Sequence, residues 1–384
     1  MIYDFSKPTN RLHTNSYKWD SAPNDDIIPL WVADMDFETY PAITEALQRR
    51  VAHGIFGYTR VPDAYYESVC QWFAKHHGWS INRSDIIYTS GVVPAISAII
   101  KALTLPGDQV IVQGPVYNCF YSSIRNNGCE MVSNSLIYNK ETLRYEMDFE
   151  DLDRKLSHER ARIMLLCNPH NPGGRVWSRE ELTHVAELCK KHSVRVVSDE
   201  IHCELTLHGN EYTPFGSLPD ELSFGSITCC SPSKAFNIAG LQIANIVCRD
   251  AAVRERVDRA ININEVCDVN PFGVEALMAA YTDGGEEWLM ELRKYLSDNY
   301  DMLLEFFAKH MPQLPVVRME GTYLAWVDCS SLGEASEEIE ERLMKKNKVW
   351  VNAGSMYGKE GEHFIRINMA CPRERLEEGL RRIA

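Results

Sequence analysis

The sequence predicts an α/β protein with a mostly parallel central sheet covered by helices, accompanied by a smaller α/β domain. Short apolar, β-branched runs alternate with helical segments from Ile86 onward, and this alternation is typical of parallel sheets. The 384 residues exceed the usual size of one domain. The pattern changes near Asp283, Gly284 and Gly285, where a long amphipathic helix begins a unit of a different plan.

The individual elements follow from periodicity and from turn signals. Apolar residues at helical spacing predict helices at 41–52, 61–77 (ending at Gly78), 91–105, 286–310, 334–347 and from 372, and the pair Ser178 and Glu181 forms a capping box that begins another. Short β-rich runs predict strands at 86–89, 110–113, 162–167, 194–198, 224–230, 321–328, 348–352 and 363–369.

Composition excludes several classes of protein. The net charge of -14 is not offset by any basic cluster, so we expect neither nucleic acid nor a membrane surface as a partner. No stretch is long enough to span a membrane, and Met1 to Asn10 carries charge where a signal peptide needs an apolar core. The 12 cysteines are scattered without Cys-x-x-Cys pairs. We therefore expect a cytoplasmic protein without a metal site, whose cysteines are mostly buried and reduced.

The segment Ser231 to Gly240 places Lys234 between two hydroxyl residues, Ser231 and Ser233, that precede it and a small-residue run that ends at Gly240, at the exit of the strand 224–230. An amine in a partly apolar pocket loses its proton more easily, and a neutral amine attacks an aldehyde to form a Schiff base. The alternative is an ordinary solvated lysine of a surface loop.

Other polar or aromatic residues follow the remaining strands. They are Gly91 and Val92, which begin a helix able to hold a phosphate; Tyr117; Asn171, in a rigid turn expected to expose its amide; and Asp199 with His202. Each has a structural alternative: a packing turn, a core tyrosine, a turn former, and a helix cap or ion pair. Because the carboxyl ends of parallel strands meet at one edge of a sheet, these residues converge on one crevice.

Three further features lie outside this alternation. Asp34 and Asp36 interrupt the apolar run from Trp31 to Phe37, so this segment either contacts something polar or caps a turn or the following helix. Tyr58 lies beside glycines in a non-helical stretch that presents it rather than burying it. Arg366 lies within an apolar strand, where a structural ion pair and a contact to a ligand are equally open.

Taken together, the residues that follow the strands supply the chemical groups that bind pyridoxal 5'-phosphate. The aldehyde of this cofactor needs an amine, its ring nitrogen an acid, its ring oxygen a donor, its ring face an aromatic side chain, and its phosphate backbone amides. Lys234, Asp199, Asn171, Tyr117 and the turn at Gly91 supply these groups in that order.

Over nearly its whole length the sequence resembles the class I/II aminotransferase superfamily of fold-type I pyridoxal-phosphate enzymes. More narrowly, it resembles the MalY/PatB branch of cystathionine β-lyases, or cysteine C–S lyases. The segments that carry the resemblance most specifically are 31–37, 54–58, 168–174, 198–202 and 231–240. The resemblance implies the fold-type I fold, with a large cofactor domain at 48–285 and a small domain formed by 1–47 and 286–384. It also implies a homodimer with shared active sites.

The resemblance also implies roles for individual residues. Lys234 would carry the cofactor and move the Cα proton, Asp199 would pair with the pyridine nitrogen, Asn171 would bond the ring hydroxyl, and Tyr117 would stack on the ring. His202 takes the place of a tyrosine of aminotransferases, which marks the lyase branch.

The phosphate and the substrate would be held by further residues. Gly91, Val92, Ser231 and Ser233 would hold the phosphate, with Tyr58 reaching it from the neighbouring subunit; Arg366 would clamp the substrate carboxylate, with Asn171, Ala33 and Asp34 beside the substrate. Many aminotransferases have an arginine eight positions after the lysine, but this chain has Gln242, which favours the lyase branch.

The activity implied is α,β-elimination on L-cystathionine and related L-cysteine S-conjugates, a small-molecule amino-acid substrate class, to give a thiol, pyruvate and ammonia. With L-cystathionine the thiol would be homocysteine. Two alternatives stay open. The chain could be an aminotransferase that shares Lys234, Asp199 and Arg366, or a protein of this fold with a regulatory role in binding a transcription factor or effector.

Overall fold

A computed structural model describes residues 3–263 and 268–384 of the chain. Within these ranges the helices are α1 (Pro41–His53), α2 (Asp63–His77), α3 (Val92–Leu103), α4 (Asn118–Asn126), α5 (Phe149–Leu156), α6 (Arg179–Lys191), α7 (Asp220–Ser223), α8 (Ala251–Asn262), α9 (Pro271–Ala280), α10 (Asp283–His310), α11 (Ser336–Arg342) and α12 (Arg373–Ile383). The strands are β1 (Ile28–Pro29), β2 (Ile86–Thr89), β3 (Gln109–Val112), β4 (Glu130–Ser133), β5 (Ile137–Asn139), β6 (Arg144–Glu146), β7 (Ala161–Cys167), β8 (Arg195–Asp199), β9 (Ile227–Cys230), β10 (Ala244–Cys248), β11 (Leu324–Asp328), β12 (Val349–Trp350), β13 (Asn352–Ala353) and β14 (Phe364–Asn368).

The central sheet has seven strands in the order β2-β10-β9-β8-β7-β3-β4. Strand β10 runs antiparallel to its two neighbours, and the other pairs are parallel. Apolar residues of α3, α4 and α8 pack on one face, and those of α5 and α6 pack on the other. The prediction of a mostly parallel sheet covered by helices is therefore confirmed. This arrangement brings the carboxyl ends of β7, β8 and β9 to one edge, where ligands of such sheets bind.

A smaller antiparallel sheet with the order β11-β14-β13 lies beyond the 28-residue helix α10. The N-terminal segment joins this part of the chain through the parallel pair of β1 and β12. The division into domains at 48–285 and at 1–47 with 286–384 stays a prediction. Its residues 1–2 and 264–267 lie outside the described part of the chain.

Most predicted elements agree with the structure to within a few residues. The capping box of Ser178 and Glu181 is present at α6, and Gly78 ends α2 in the left-handed conformation with φ of 60°. The single helix predicted at 334–347 is wrong, because α11 ends at Arg342 and passes into a π-helical turn, Leu343–Asn347. The single strand predicted at 348–352 is also wrong. Its residues divide between β12 and β13, which pair with different partners.

The cysteines agree with the interpretation of the composition where the structure describes them. The eleven described cysteines are free, and nine of them are buried. Among residues 3–263 and 268–384, no helix is both long and apolar enough to cross a bilayer. The same residues contain no group of three or more His, Cys, Asp or Glu side chains arranged to hold a metal ion.

Candidate active site

A small cavity lies at the carboxyl ends of β7 and β8, beside the exit of β9. Seven of the predicted site residues line it, namely Ala33, Val92, Tyr117, Asn171, Asp199, His202 and Lys234. These residues come from distant parts of the chain, and the sheet brings them together because its strands end at one edge.

Lys234 extends into this cavity from the loop that follows β9. Its Nζ donates a hydrogen bond to the carbonyl oxygen of Ala33 at 2.6 Å. Burial and, to a lesser extent, the nearby Arg366 guanidinium lower the pKa of Lys234 to about 8, against the opposing effects of Asp34 and Asp199. A considerable fraction of the amine is therefore neutral near pH 7.5, unlike that of a solvated surface lysine.

Asp199 ends β8 and is only 3% exposed. One carboxylate oxygen accepts the backbone N–H of Ile201 at 3.1 Å. Burial raises the pKa of Asp199 to about 7, against the lowering effects of the Ile201 N–H and the Lys234 amine. A buried carboxylate of this kind is stabilised by a cationic partner.

His202 lines the same cavity and is buried. Burial lowers its pKa to about 3, helped by the charges of Lys234 and Arg366, so the ring is neutral. Its Nδ1 has no hydrogen-bond partner within the described ranges. An unpaired buried polar atom is costly, and it indicates that a polar group of a ligand belongs here.

Arg366 lies in the middle of β14 and is 4% exposed. Its Nη1 donates to Oδ1 of Asn171 at 3.1 Å, and its Nη2 donates to Oδ1 of Asn352 at 2.8 Å and to the carbonyl oxygen of Trp31 at 2.9 Å. Among residues 3–263 and 268–384, no carboxylate forms a salt bridge with it, and its Nε lacks a hydrogen-bond partner. The alternative of a structural ion pair is therefore wrong, and the guanidinium charge remains available for an anionic ligand.

Asn171 differs from the expectation that its turn exposes the amide, because this residue is only 3% exposed. The reason is tertiary, since β14 brings Arg366 against the amide oxygen. Asn171 therefore faces the cavity from a buried position and joins the Arg366 guanidinium to the rest of the site.

The two aspartates of the N-terminal run are held by cations. Arg11 binds both carboxylate oxygens of Asp34, at 3.2 and 2.7 Å. Asp36 is buried and lies 2.7 Å from Arg11, 3.2 Å from Lys18 and 3.2 Å from Arg375. The expected polar contact is confirmed, and capping of α1 is wrong, because its N-cap is Tyr40 and has no side-chain cap bond.

The residues predicted to hold a phosphate lie around the cavity in different ways. Gly91 is the N-cap of α3, and Val92 begins the helix and lines the cavity. Ser231 and Ser233 are buried, but the Ser231 hydroxyl already donates to the carbonyl oxygen of Ile243 at 2.5 Å and accepts the Ser233 N–H at 3.1 Å. Tyr58 is 95% exposed, in the loop between α1 and α2, and does not line this cavity.

Several residues near the site carried no recognisable signal in the sequence. Tyr323 is fully buried, and its hydroxyl donates to the carbonyl oxygen of Ala33 at 3.0 Å. Its ring lies edge-on to His202, with the centroids 6.1 Å apart. Cys167 and Ile201 also line the cavity. In the sequence these residues are typical of a packed core, and only their spatial neighbours distinguish them.

The donor set fits pyridoxal phosphate. Within residues 3–263 and 268–384, the cavity contains a lysine amine with a pKa of about 8, a buried carboxylate without a salt-bridge partner, an unpaired imidazole nitrogen and an aromatic ring. These are the groups that the aldehyde, the ring nitrogen, the ring hydroxyl and the ring face of that cofactor require. The amino end of α3 lies beside them and offers the backbone N–H groups that bind a phosphate.

Comparison with known proteins agrees with this geometry. The profile of the family "Aminotransferase class I and II" matches residues 25–383. Cystathionine beta-lyase PatB of Bacillus subtilis (strain 168) is 44% identical over 99% of this chain and 98% of its own length. Protein MalY of Escherichia coli (strain K12) is 32% identical over 99% of this chain and 97% of its own. The crystal structure of cystalysin from Treponema denticola, which contains pyridoxal 5'-phosphate, superimposes with a TM-score of 0.95 and 33% identity, covering 100% of this chain and 98% of the other. The chain belongs to the class I and II aminotransferase family.

Proposed function

We propose that this protein is a pyridoxal-phosphate-dependent carbon–sulfur β-lyase that acts in the cytoplasm. Its substrates are L-cystathionine and related L-cysteine S-conjugates, and its products are a thiol, pyruvate and ammonia. The observation that carries the proposal is that Lys234, Asp199 and His202 line one cavity. Its support from relatives is the 44% identity to a cystathionine beta-lyase over almost the full length.

Each residue of the site has a defined task in this proposal. Lys234 would carry the cofactor, Asp199 would pair with its ring nitrogen, His202 and Asn171 would face its ring hydroxyl, and Tyr117 would cover its ring. The backbone at Gly91 and Val92, with Ser231 and Ser233, would hold its phosphate. When bound, pyridoxal phosphate supplies an electron sink that stabilises negative charge at the substrate Cα.

The protein side chains then direct the elimination. Arg366 binds the substrate carboxylate, and its buried, hydrogen-bonded guanidinium fixes the orientation of the Cα–H bond. Lys234 takes the proton from Cα, which requires the neutral amine that burial favours. Loss of that proton allows the sulfur to leave from Cβ as a thiolate. The Ala33 carbonyl contacts the Lys234 amine and Asp34 acts on its charge, so both residues would lie beside the substrate.

A product assay tests the proposal directly. Purified protein is supplied with pyridoxal phosphate and L-cystathionine in the absence of any keto acid, and pyruvate and free thiol are measured together. A lyase releases the two in equal amounts, and Lys234→Ala releases neither. Failure to form pyruvate or thiol with L-cystathionine and with other L-cysteine S-conjugates contradicts the proposal.

An aminotransferase is the second candidate, because the family profile that matches residues 25–383 is that of the class I and II aminotransferases. Such an enzyme would use Lys234, Asp199 and Arg366 in the same way but would return the proton to the cofactor. The same assay separates the two functions. Amino transfer that begins only after a keto acid is added, without release of thiol, assigns the protein to this second function.

We also propose that the active unit is a homodimer in which Tyr58 completes the site of the neighbouring subunit. The support is its 95% exposure at a loop where Ile55 and Phe56 are exposed as well. Mixing Lys234→Ala with Tyr58→Ala subunits tests this. If Tyr58 acts across the interface, each mixed dimer contains one intact site of its two. Because about half of randomly formed dimers are mixed, the mixture restores about a quarter of the wild-type activity. If it acts within its own subunit, mixing restores nothing.

A further inference from the structure

The segment Trp31–Met35, here called the strap, passes across the site without forming a helix or a strand. Each of its five consecutive backbone carbonyl oxygens accepts a hydrogen bond from a side chain. The donors are Arg366 to Trp31 at 2.9 Å, Asn368 to Val32 at 2.5 Å, Lys234 and Tyr323 to Ala33 at 2.6 and 3.0 Å, Asn368 and Lys18 to Asp34 at 2.7 and 3.3 Å, and Asn237 and Arg11 to Met35 at 3.0 and 3.0 Å. The position of the strap is therefore set mainly by side chains, because among the described residues its only backbone–backbone hydrogen bond runs from the Asp34 N–H to the Val32 carbonyl oxygen at 3.0 Å.

Asn237 lies in a loop and forms three hydrogen bonds to the strap and to Phe37, which follows it closely. Its Nδ2 donates to the carbonyl oxygens of Met35 and Phe37 at 3.0 and 2.8 Å, and its Oδ1 accepts the N–H of Met35 at 2.9 Å. Asn237 lies three residues after Lys234 and has a left-handed backbone with φ of 55°, a conformation that asparagine tolerates well. Its amide therefore joins the lysine loop to the strap through both of its ends.

The consequence concerns the Ala33 carbonyl, which lies two residues before Met35. This oxygen accepts the Nζ of Lys234 and the hydroxyl of Tyr323. Substituting the side chain of Ala33 would not remove this backbone carbonyl oxygen. Its location depends instead on the groups that hold the strap. A hydrogen-bond acceptor in contact with an amine favours the charged form of that amine. The other titratable or charged groups that act on Lys234 are Arg366, Asp34, Asp199, Cys119 and His202.

We propose that Asn237 is a positioning residue, which holds the strap so that the Ala33 carbonyl receives the Lys234 amine whenever this amine is not attached to the cofactor. The proposal rests on the proposed function in one respect, that Lys234 is the lysine that carries pyridoxal phosphate. Asn237 itself contacts the strap, and its effect reaches the reacting amine through Ala33.

The test measures the rate at which the full-length protein, freed of cofactor, captures added pyridoxal phosphate, followed by the absorbance change between pH 6 and pH 10. Capture requires the neutral amine, so the midpoint of the pH profile reports the ionisation of Lys234 without depending on lyase turnover. The variant is Asn237→Gly, since glycine removes the amide and leaves the left-handed backbone unstrained. We expect its midpoint to fall by about one pH unit, because the charged amine loses its acceptor. We also expect slower capture at high pH, because the loop and the strap separate.

The matched control is Asn127→Ala. The Nδ2 of Asn127 also donates to two backbone carbonyls, those of Ser97 and Ser123, at 3.3 and 2.8 Å, in a different part of the fold. It should lose stability without moving the midpoint. Asn237→Ala is the second variant, because it also removes the amide without adding a charge near Lys234, and it should shift the midpoint in the same direction.

The outcomes separate this inference from the proposed function. If wild-type protein does not capture pyridoxal phosphate through Lys234, the proposed function fails. If the wild type captures it and either folded Asn237 variant has the wild-type profile, the positioning role is overturned while the function stands. If both Asn237 variants fail to fold by circular dichroism, Asn237 is a structural residue and the inference is likewise overturned.

Discussion

The ionisation of Lys234 depends on Arg366, and replacing Arg366 by methionine should make this visible. Burial is the main reason that the pKa of Lys234 falls to about 8, and the Arg366 guanidinium is the second. Methionine keeps an unbranched apolar stem and removes the positive charge. Because a like charge disfavours the protonated amine, its removal should raise the pKa of Lys234. The value should stay below that of a free lysine, since burial remains.

The size of the effect follows from the fraction of neutral amine. With a pKa of about 8, about a quarter of Lys234 is neutral at pH 7.5, whereas about 0.1% of an ordinary lysine would be neutral at the same pH. Wild-type capture of pyridoxal phosphate should therefore level off above about pH 8. Each unit by which Arg366→Met raises the pKa should slow capture about tenfold at pH 7 and leave the plateau at high pH little changed.

The matched control is Arg366→Lys, which retains the charge and loses the planar contacts to Asn171, Asn352 and the Trp31 carbonyl. Its pH midpoint should stay close to that of the wild type, while the KM for L-cystathionine rises. A wild-type midpoint near 10.5 would refute the argument from burial. Equal midpoints for Arg366→Met and the wild type would refute the argument from charge.

Two further predictions concern stability. Glu204 is buried, and burial by itself raises the pKa of its carboxyl. The charges of His77 and Arg293, together with hydrogen bonds from His77 and Trp72, outweigh burial and lower this pKa to about 2. Glu204→Gln should therefore destabilise the fold at pH 7 by about 3 kcal/mol. This stabilisation is complete above the unfolded pKa and is lost as the pH falls toward 2, so the difference in urea midpoint between wild type and variant should shrink at pH 3. Ser178→Ala removes the cap of α6 and should cost about 1 kcal/mol in urea unfolding.

Each of these two stability predictions has an outcome that would contradict it. Equal urea midpoints of wild type and Glu204→Gln at pH 7 would show that the ion pairs only offset the cost of burial. For the cap, Thr183→Ala in the same helix is the control, because the Thr183 hydroxyl donates to the Arg179 carbonyl within the helix and caps nothing. A loss as large in Thr183→Ala as in Ser178→Ala would contradict the assignment to capping.

Local sequence patterns are sufficient to predict an element wherever the interaction that determines it joins residues close together in the chain. Strand β2 was predicted with its observed bounds, and the α6 capping box was recognised from Ser178 and Glu181 alone. The cavity residues Asn171, Asp199 and Lys234 were selected because each follows a strand, and parallel strands end at one edge. The turn after Arg342 was missed, since the left-handed Lys348 with φ of 58° that follows it has no sequence signal of its own.

The sequence by itself determined the fold class, the family and the set of chemical groups, because strand alternation and the segments around Lys234 and Asp199 are readable without coordinates. Only the tertiary structure decided how those groups are charged and held. Burial and the approach of Arg366 lower the pKa of Lys234, burial raises that of Asp199, and the strap brings the Ala33 carbonyl to the amine. The physical reason is that desolvation and Coulomb interactions depend on distances in space between residues far apart in the chain.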